Sequence, residues 1–195
     1  MATHSILRRI DLAAFSSSSK IETIVQTLVE MRQTSPGSKC IIFSQFVNFL
    51  DLVRWRIHSD PQLEPYGLGT ETLLGSMKVE LRDSAIERFT NNVDSRVMLI
   101  SLKAGGVALN LVRANYIILS DPWWNPAAEL QAIDRTHRLG QTRVIKAIRL
   151  VAKNTVEERI LDLQEKKRLV FDGVVGGDKE SIGRLGKGDL EQLFR

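Results

Sequence analysis

Residues 40–43, Cys-Ile-Ile-Phe, are a short continuous apolar run, with a Ser-Pro-Gly-Ser turn at 35–38 before it and Ser44-Gln45 after it. A parallel strand covered by helices on both faces has this pattern. Reading outward toward the N-terminus, Ile21, Ile24, Val25 and Leu28 recur at helical spacing, and Ser19 with Glu22 fits a capping box at the helix start. Reading toward the C-terminus, Phe46, Phe49, Leu50, Val53 and Ile57 are expected on one face of a helix. A loop over 60–69, a strand over 71–74 and a helix over 78–91 burying Leu81, Ala85 and Phe89 come next. Further strands are expected at 97–100, 116–119 and 144–151. Strands alternating with helices over 20–151 predict an α/β fold, a parallel sheet sandwiched between helices.

Character changes after Ala152. Thr155 with Glu158 fits a second capping box, and Val156, Ile160, Leu163 and Val170 form the stripe of a helix ending near Phe171. The tail from Asp172 holds six of the chain's 13 glycines and is expected to close with a short helix at 189–194. The predicted organisation is a linker over 1–19, which includes a four-serine run at 16–19, a main domain over 20–152, and a helical appendage over 153–195.

Composition narrows the function classes. The chain has 195 residues, 43% apolar and 26% charged, which suits a sizeable core and not wholesale disorder. Lys plus Arg is 27 and Asp plus Glu is 23, and a net charge of +4 permits a polyanion partner without demanding one. The single cysteine, Cys40, excludes an internal disulfide framework, and together with His4, His58 and His137 it gives no metal-ligand spacing. No apolar stretch approaches the roughly 18 residues of a membrane span. Met1 to Phe15 lack the apolar core of a signal peptide, so a soluble, reducing compartment is expected.

Three segments could carry chemistry. In 125–140, Asn125 is a good N-cap, Pro126 sits at the first helical position, and Gly140 ends the helix. Gln131, Asp134, Arg135 and Arg138 then share one side of that helix. Two arginines three apart can converge on one anion, and guanidinium geometry suits phosphate oxygens. A solvated basic helix end explains the same spacing. In 101–110, Gly105-Gly106 would let backbone approach a phosphate closely and Lys103 offers a point charge, although a plain strand-to-helix turn needs no more. In 121–126, Trp123 and Trp124 stand in a Pro-bounded loop, where one could serve a partner or both could pack into the core.

Several chemistries lack their signatures. There is no GxxxxGK[ST] loop: before Gly186-Lys187, position 181 is Ser, and position 188 is Gly. No acidic magnesium box follows a strand, and there is no Gly-x-Ser-x-Gly elbow. Cys40, inside an apolar strand, is expected to be buried and inert, and His137 points away from the side shared by the arginines.

Together these segments resemble the second RecA-like lobe of helicase superfamily two, and more closely the SWI/SNF-type DNA-translocating ATPases. Residues 134–141 (Asp-Arg-Thr-His-Arg-Leu-Gly-Gln) match that family's motif VI, 101–111 motif V, 40–46 motif IV, and 75–82 motif IVa. The spellings at 121–126, 103–108 and 155–160 resemble the RING-finger-containing subgroup that serves DNA repair, in nucleotide excision or damage tolerance.

The resemblance implies a RecA-like parallel sheet with a C-terminal helical appendage. It implies arginine fingers at Arg135 and Arg138, and a nucleotide cleft lined by Gln131, Gly105 and Gly106. It implies DNA-backbone contacts from Ser44, Gln45, Ser76, Ser101, Lys103 and Trp124, and a brace helix from Thr155 to Phe171. ATP and Mg would be bound mainly by a first lobe. Partners would be double-stranded DNA, the first RecA-like lobe of the same polypeptide, and nucleosomes or repair proteins, at a nuclear location and with no membrane. The first lobe and the RING finger are not in this sequence, so the chain is expected to be a fragment that hydrolyses no ATP alone. The competing reading is a non-catalytic α/β module that binds protein or nucleic acid. Such an adaptor has no need of the paired Arg135 and Arg138 beside a cleft.

Overall fold

The computed structural model describes residues 6–8, 10–12, 14–102, 104, 111–123, 127, 129–130, 133 and 143–175. Five strands form one all-parallel sheet: β1 Cys40–Ser44, β2 Gly69–Leu73, β3 Ser95–Ser101, β4 Tyr116–Leu119 and β5 Lys146–Arg149, in the order β2-β3-β1-β4-β5. The described helices of four residues or more of α type are α1 Ser19–Thr34, α2 Val47–Ser59, α3 Val79–Asn91 and α4 Val156–Val175. Among the described residues, no helix is long and apolar enough to cross a membrane.

The unbroken apolar runs follow from the sheet's burial on both faces. Side chains alternate along a strand with period two, and the core divides accordingly. Cys40, Ile42, Val97, Leu99 and Ile118 cluster with Ile24 and Leu28 of α1 and with Leu50 and Val53 of α2. Ile41, Phe43, Met98, Ile100, Ile117 and Leu119 cluster instead with Phe89 of α3, Leu111 and Ala114. The thiol of Cys40 has no exposure, and burial alone pushes its pKa far above the ordinary thiol range, as the strand reading expected.

Several boundaries and faces differ from the sequence reading. The cap of α1 is Ser18, whose Oγ accepts from the Ile21 N–H at 3.4 Å, so the helix starts one residue earlier than a Ser19 cap allows. Glu22 is thereby released from capping. It accepts from Arg56 Nε at 2.8 Å and Nη2 at 3.0 Å, while Arg56 Nη1 reaches Asp60 at 2.6 Å. The Arg56 hydrogen bonds, helped by Ser17, hold the Glu22 carboxyl below its ordinary range.

Phe46 is 61% exposed because it occupies the N-cap of α2 in extended backbone, outside the helical stripe. Leu81 is 57% exposed: burial on α3 is confined to Ala85 and Phe89 in its later turns, and a stripe is covered only where the sheet lies beneath it. Strand β5 is four residues and not eight, an edge strand whose Lys146 and Arg149 are exposed. Such charges protect a sheet edge from pairing with other chains. Helix α4 runs on past Phe171 to Val175. Phe15, in the stretch expected to be a linker, packs edge-on against Trp55 with ring centres 5.4 Å apart.

Strand β2 begins two residues earlier than expected, at Gly69, where the register steps from Gly69 opposite Ser95 to Thr70 opposite Val97. Arg96 is therefore the extra residue of a bulge. A Cβ on residue 69 would lie 2.2 Å from the Asp94 carbonyl oxygen, so only glycine allows this close approach.

By internal packing the chain divides into two units, one of 1–121 with 130–150 and one of 122–129 with 151–195. In the second, α4 is capped in a variant of the expected box. Thr155 Oγ1 accepts from the Glu157 N–H at 3.1 Å, and Glu158 accepts from the Asn154 N–H at 3.0 Å.

Candidate functional site

In an open parallel sheet the chain changes winding direction at one point, and ligands bind beyond the strand C-termini there. Here β1 leads through α2 to β2 on one side, and β4 leads to β5 on the other, so the switch lies between the adjacent strands β1 and β4. The residues that follow these strands meet at that point. Asp121, 8% exposed, sets both carboxylate oxygens 3.1 Å from Ser44 Oγ, and Oδ2 accepts from the Gln45 N–H at 2.7 Å. Ser120 Oγ lies 2.8 Å from both Asp121 Oδ1 and the Phe43 carbonyl, so its single proton serves one of them at a time. Lys20 Nζ closes the same corner by donating to the Ser120 carbonyl at 2.6 Å.

The neighbouring strand ends are joined to this corner. The Leu102 N–H donates to the Ser44 carbonyl at 2.9 Å. The Gly75 N–H donates to Ser101 Oγ at 3.2 Å, tying the loop after β2 to the end of β3. Arg82 stiffens that loop from α3, with Nη2 on the Gly75 carbonyl at 2.5 Å and Nε on the Met77 carbonyl at 2.9 Å.

Of the residues singled out in the sequence, Ser44, Gln45, Ser76 and Ser101 therefore gather on one sheet edge. Their presentation differs. Ser44 and Ser101 are buried and turn their hydroxyls into the loop contacts just described, whereas Ser76 is exposed and Gln45 half-buried. Lys103, Gly105, Gly106, Trp124, Gln131, Arg135 and Arg138 lie outside the described residues, as do Asn125, Pro126, Asp134, His137, Gly140 and the tail from 176. Among the described residues, no group of three or more His, Cys, Asp or Glu side chains is placed to hold a metal ion.

In the second unit, the backbone of the tryptophan loop is held from two sides. The buried Glu129 accepts from the Trp123 N–H at 2.5 Å and from Gln164 Nε2 of α4 at 2.9 Å, and Gln164 also donates to the Trp123 carbonyl. A carboxylate with no water around it needs such donors.

Sequence reasoning passed over Asp121, Ser120, Lys20, Glu129 and Gln164. Asp121 did leave a signal, since an acidic residue two positions after an apolar strand and before a proline is held close to the sheet and has to find donors. Its partner Ser44 is 77 residues away, and that pairing depends on strand order.

Comparison with known proteins agrees with this geometry. The family model of the helicase conserved C-terminal domain matches residues 19–140. The ATP-dependent helicase rhp16 of Schizosaccharomyces pombe is 42% identical over 190 residues, covering 97% of this chain and 21% of the relative. A DNA repair protein RAD5 from Cryptococcus neoformans is 42% identical, covering 96% of this chain and 15% of that protein. Among solved structures, the C-terminal part of the Fun30 ATPase domain matches with a TM-score of 0.67 and 32% identity, over 76% of this chain and 45% of that one. The chain thus spans about a fifth of the length of the curated relatives, or less.

Proposed function

The chain belongs to the family of helicase conserved C-terminal domains and has a RecA-like α/β fold, and from that premise we propose that it is the second motor lobe of an ATP-dependent translocase on double-stranded DNA, acting in DNA repair or chromatin remodelling. The observation that carries the reading is the convergence of four strand ends at the switch point, those of β1 and β4 meeting at Asp121, with Gln45 and Ser76 at the same edge.

In this reading ATP is held between the lobes. Arg135 and Arg138 reach the γ-phosphate as charge develops on it, with Gln131, Gly105 and Gly106 lining the cleft. Arginine and amide side chains suit phosphate oxygens, whereas magnesium takes oxygen ligands such as carboxylates. In this reading magnesium would be bound mainly by the first lobe, and this chain alone turns over no ATP. Gln45, Ser76, Lys103 and Trp124 hold one DNA strand by its backbone, and Ser44 and Ser101 support that grip from beneath. Phosphate contacts of this kind fix position without reading sequence. Helix α4 is the brace of the two-lobe motor, and the kinship with DNA repair proteins supports a nuclear location.

The test is ATP hydrolysis by the two-lobe protein with and without duplex DNA. Duplex-stimulated turnover is expected, and silence from a folded protein would leave the binding-module reading in its place. Lys103→Ala should weaken DNA stimulation, and its deficit in DNA affinity should narrow as salt rises, because one phosphate contact fewer makes the salt slope shallower. A deficit that does not change with salt would rule out a phosphate contact by this lysine.

A further inference from the structure

The opposite edge of the sheet, where the strands begin, is rich in positive charge. Arg32 lies in the last turn of α1, the buried Lys39 precedes β1, Arg96 sits in the β3 bulge, Arg113 lies in the turn before β4, Arg143 precedes β5 and Lys146 begins it. Five-residue strands at roughly 3.3 Å per residue put this edge about 15 Å from the motif edge.

An open cleft of about 570 Å³ lies here, lined among others by Gly37, Asn115, Tyr116, Arg143, Val144 and Lys146 and, among the described residues, by no carboxylate. Arg143 Nη1 is held at 2.7 Å by the Gly37 carbonyl, and Lys146 Nζ stands over the Tyr116 ring, 5.5 Å from its centre. Asn115 is 7% exposed, and its side-chain oxygen is buried without a hydrogen-bond partner.

The cations act on one another. Burial and then the charges of Arg32 and Arg143 press the Arg96 pKa down, with Asp94 the opposing carboxylate. Lys39 is pressed down by burial and then by Arg96 and Arg113. Lys39 donates to the Phe89 and Asn92 carbonyls, and Arg32 to those of Tyr66 and Pro36, acceptors that carry no full charge.

From this geometry we infer that the strand-start edge is a second nucleic-acid contact, which takes the phosphate backbone of a duplex segment other than the one held at the motif edge. Three features favour a phosphate backbone over a small anion or an acidic peptide. The charges are spread across neighbouring strand starts, each about 4.8 Å from the next, an extended row that suits a polyanion better than a single small anion. Apart from Lys39, which is 7% exposed and holds two backbone carbonyls, four of the five cations are arginines, whose planar forks match phosphate oxygens. Val144 of the lining is 90% exposed and forms no pocket for a peptide anchor. A bound polyanion would also relieve the repulsion among the cations.

The contact is independent of the motor reading, and the experiment keeps the two apart. A labelled random-sequence duplex is titrated with the 195-residue chain between about 50 and 200 mM salt. Arg113 and Lys146 are exposed, so Arg113→Glu with Lys146→Glu is the first variant, and circular dichroism checks its fold. Its affinity should fall about tenfold or more at the lower salt, and the salt slope should shrink by about two. Should the charge reversals unfold it, Arg113→Gln with Lys146→Gln should shrink the slope in the same direction. Lys103→Ala should add its own separate loss. Wild-type affinity and slope in a folded edge variant would overturn the inference, as would no salt-dependent binding by the wild-type chain. Tighter binding of a polyglutamate peptide than of duplex, lost in the edge variant, would overturn it in favour of an acidic protein partner.

Discussion

Replacing Arg138 by alanine in the two-lobe protein is expected to leave ATP binding in place and to cut turnover by about 10³-fold or more. An arginine that meets the γ-phosphate only as charge builds on it stabilises the transition state and contributes little to ground-state binding, so kcat falls while nucleotide affinity holds. Single-turnover hydrolysis beside equilibrium binding of a labelled nucleotide separates the two quantities. A parallel loss of both would mean that Arg138 binds ground-state ATP, and unchanged turnover would remove the finger role altogether. Arg138→Lys should recover little, because a lysine offers a point charge where a planar fork is needed.

Asp121→Ala is expected to destabilise the chain by about 3 kcal/mol. The substitution removes an acceptor shared by Ser44 Oγ, the Gln45 N–H and Ser120 Oγ in a site that is 8% exposed. Buried donors left without an acceptor forfeit their desolvation cost in full, and bonds to a charged acceptor are stronger than neutral ones. Asp121→Asn keeps one acceptor oxygen and should lose about half as much. Urea unfolding of the three proteins measures the differences. A loss under about 1 kcal/mol for the alanine variant would show that water or a neighbour replaces the carboxylate. Below that threshold the switch point would not depend on Asp121.

The sheet was legible in the sequence because its rule is local. A strand buried on both faces reads as an unbroken apolar run, and Cys40–Phe43, Val97–Ile100 and Tyr116–Leu119 all do. The misplaced side chains come from a quantity that periodicity does not contain. Periodicity assigned Phe46 and Leu81 to a face, but where a helix begins, which left Phe46 outside α2, and whether the sheet extends beneath a turn, which left Leu81 bare, are not written in it. The bulge at Arg96 and the pairing of Asp121 with Ser44 depend on strand order, which no short stretch encodes. The candidate site was legible in another way. Ser44, Gln45, Ser76 and Ser101 were singled out by their spelling, and three separate loops bring them to one edge.

The burial of Cys40 in β1, the middle strand of five, also gives the molecule an internal clock. A thiol-reactive dye can reach this sulfur only when the central strand is exposed, so its labelling rate under native conditions counts openings of the whole sheet. The same silence makes the folded chain a blank background. A cysteine placed at exposed Ser76 would take a fluorophore alone, with no native thiol to remove, and would report the distance from this loop to a dye on the DNA.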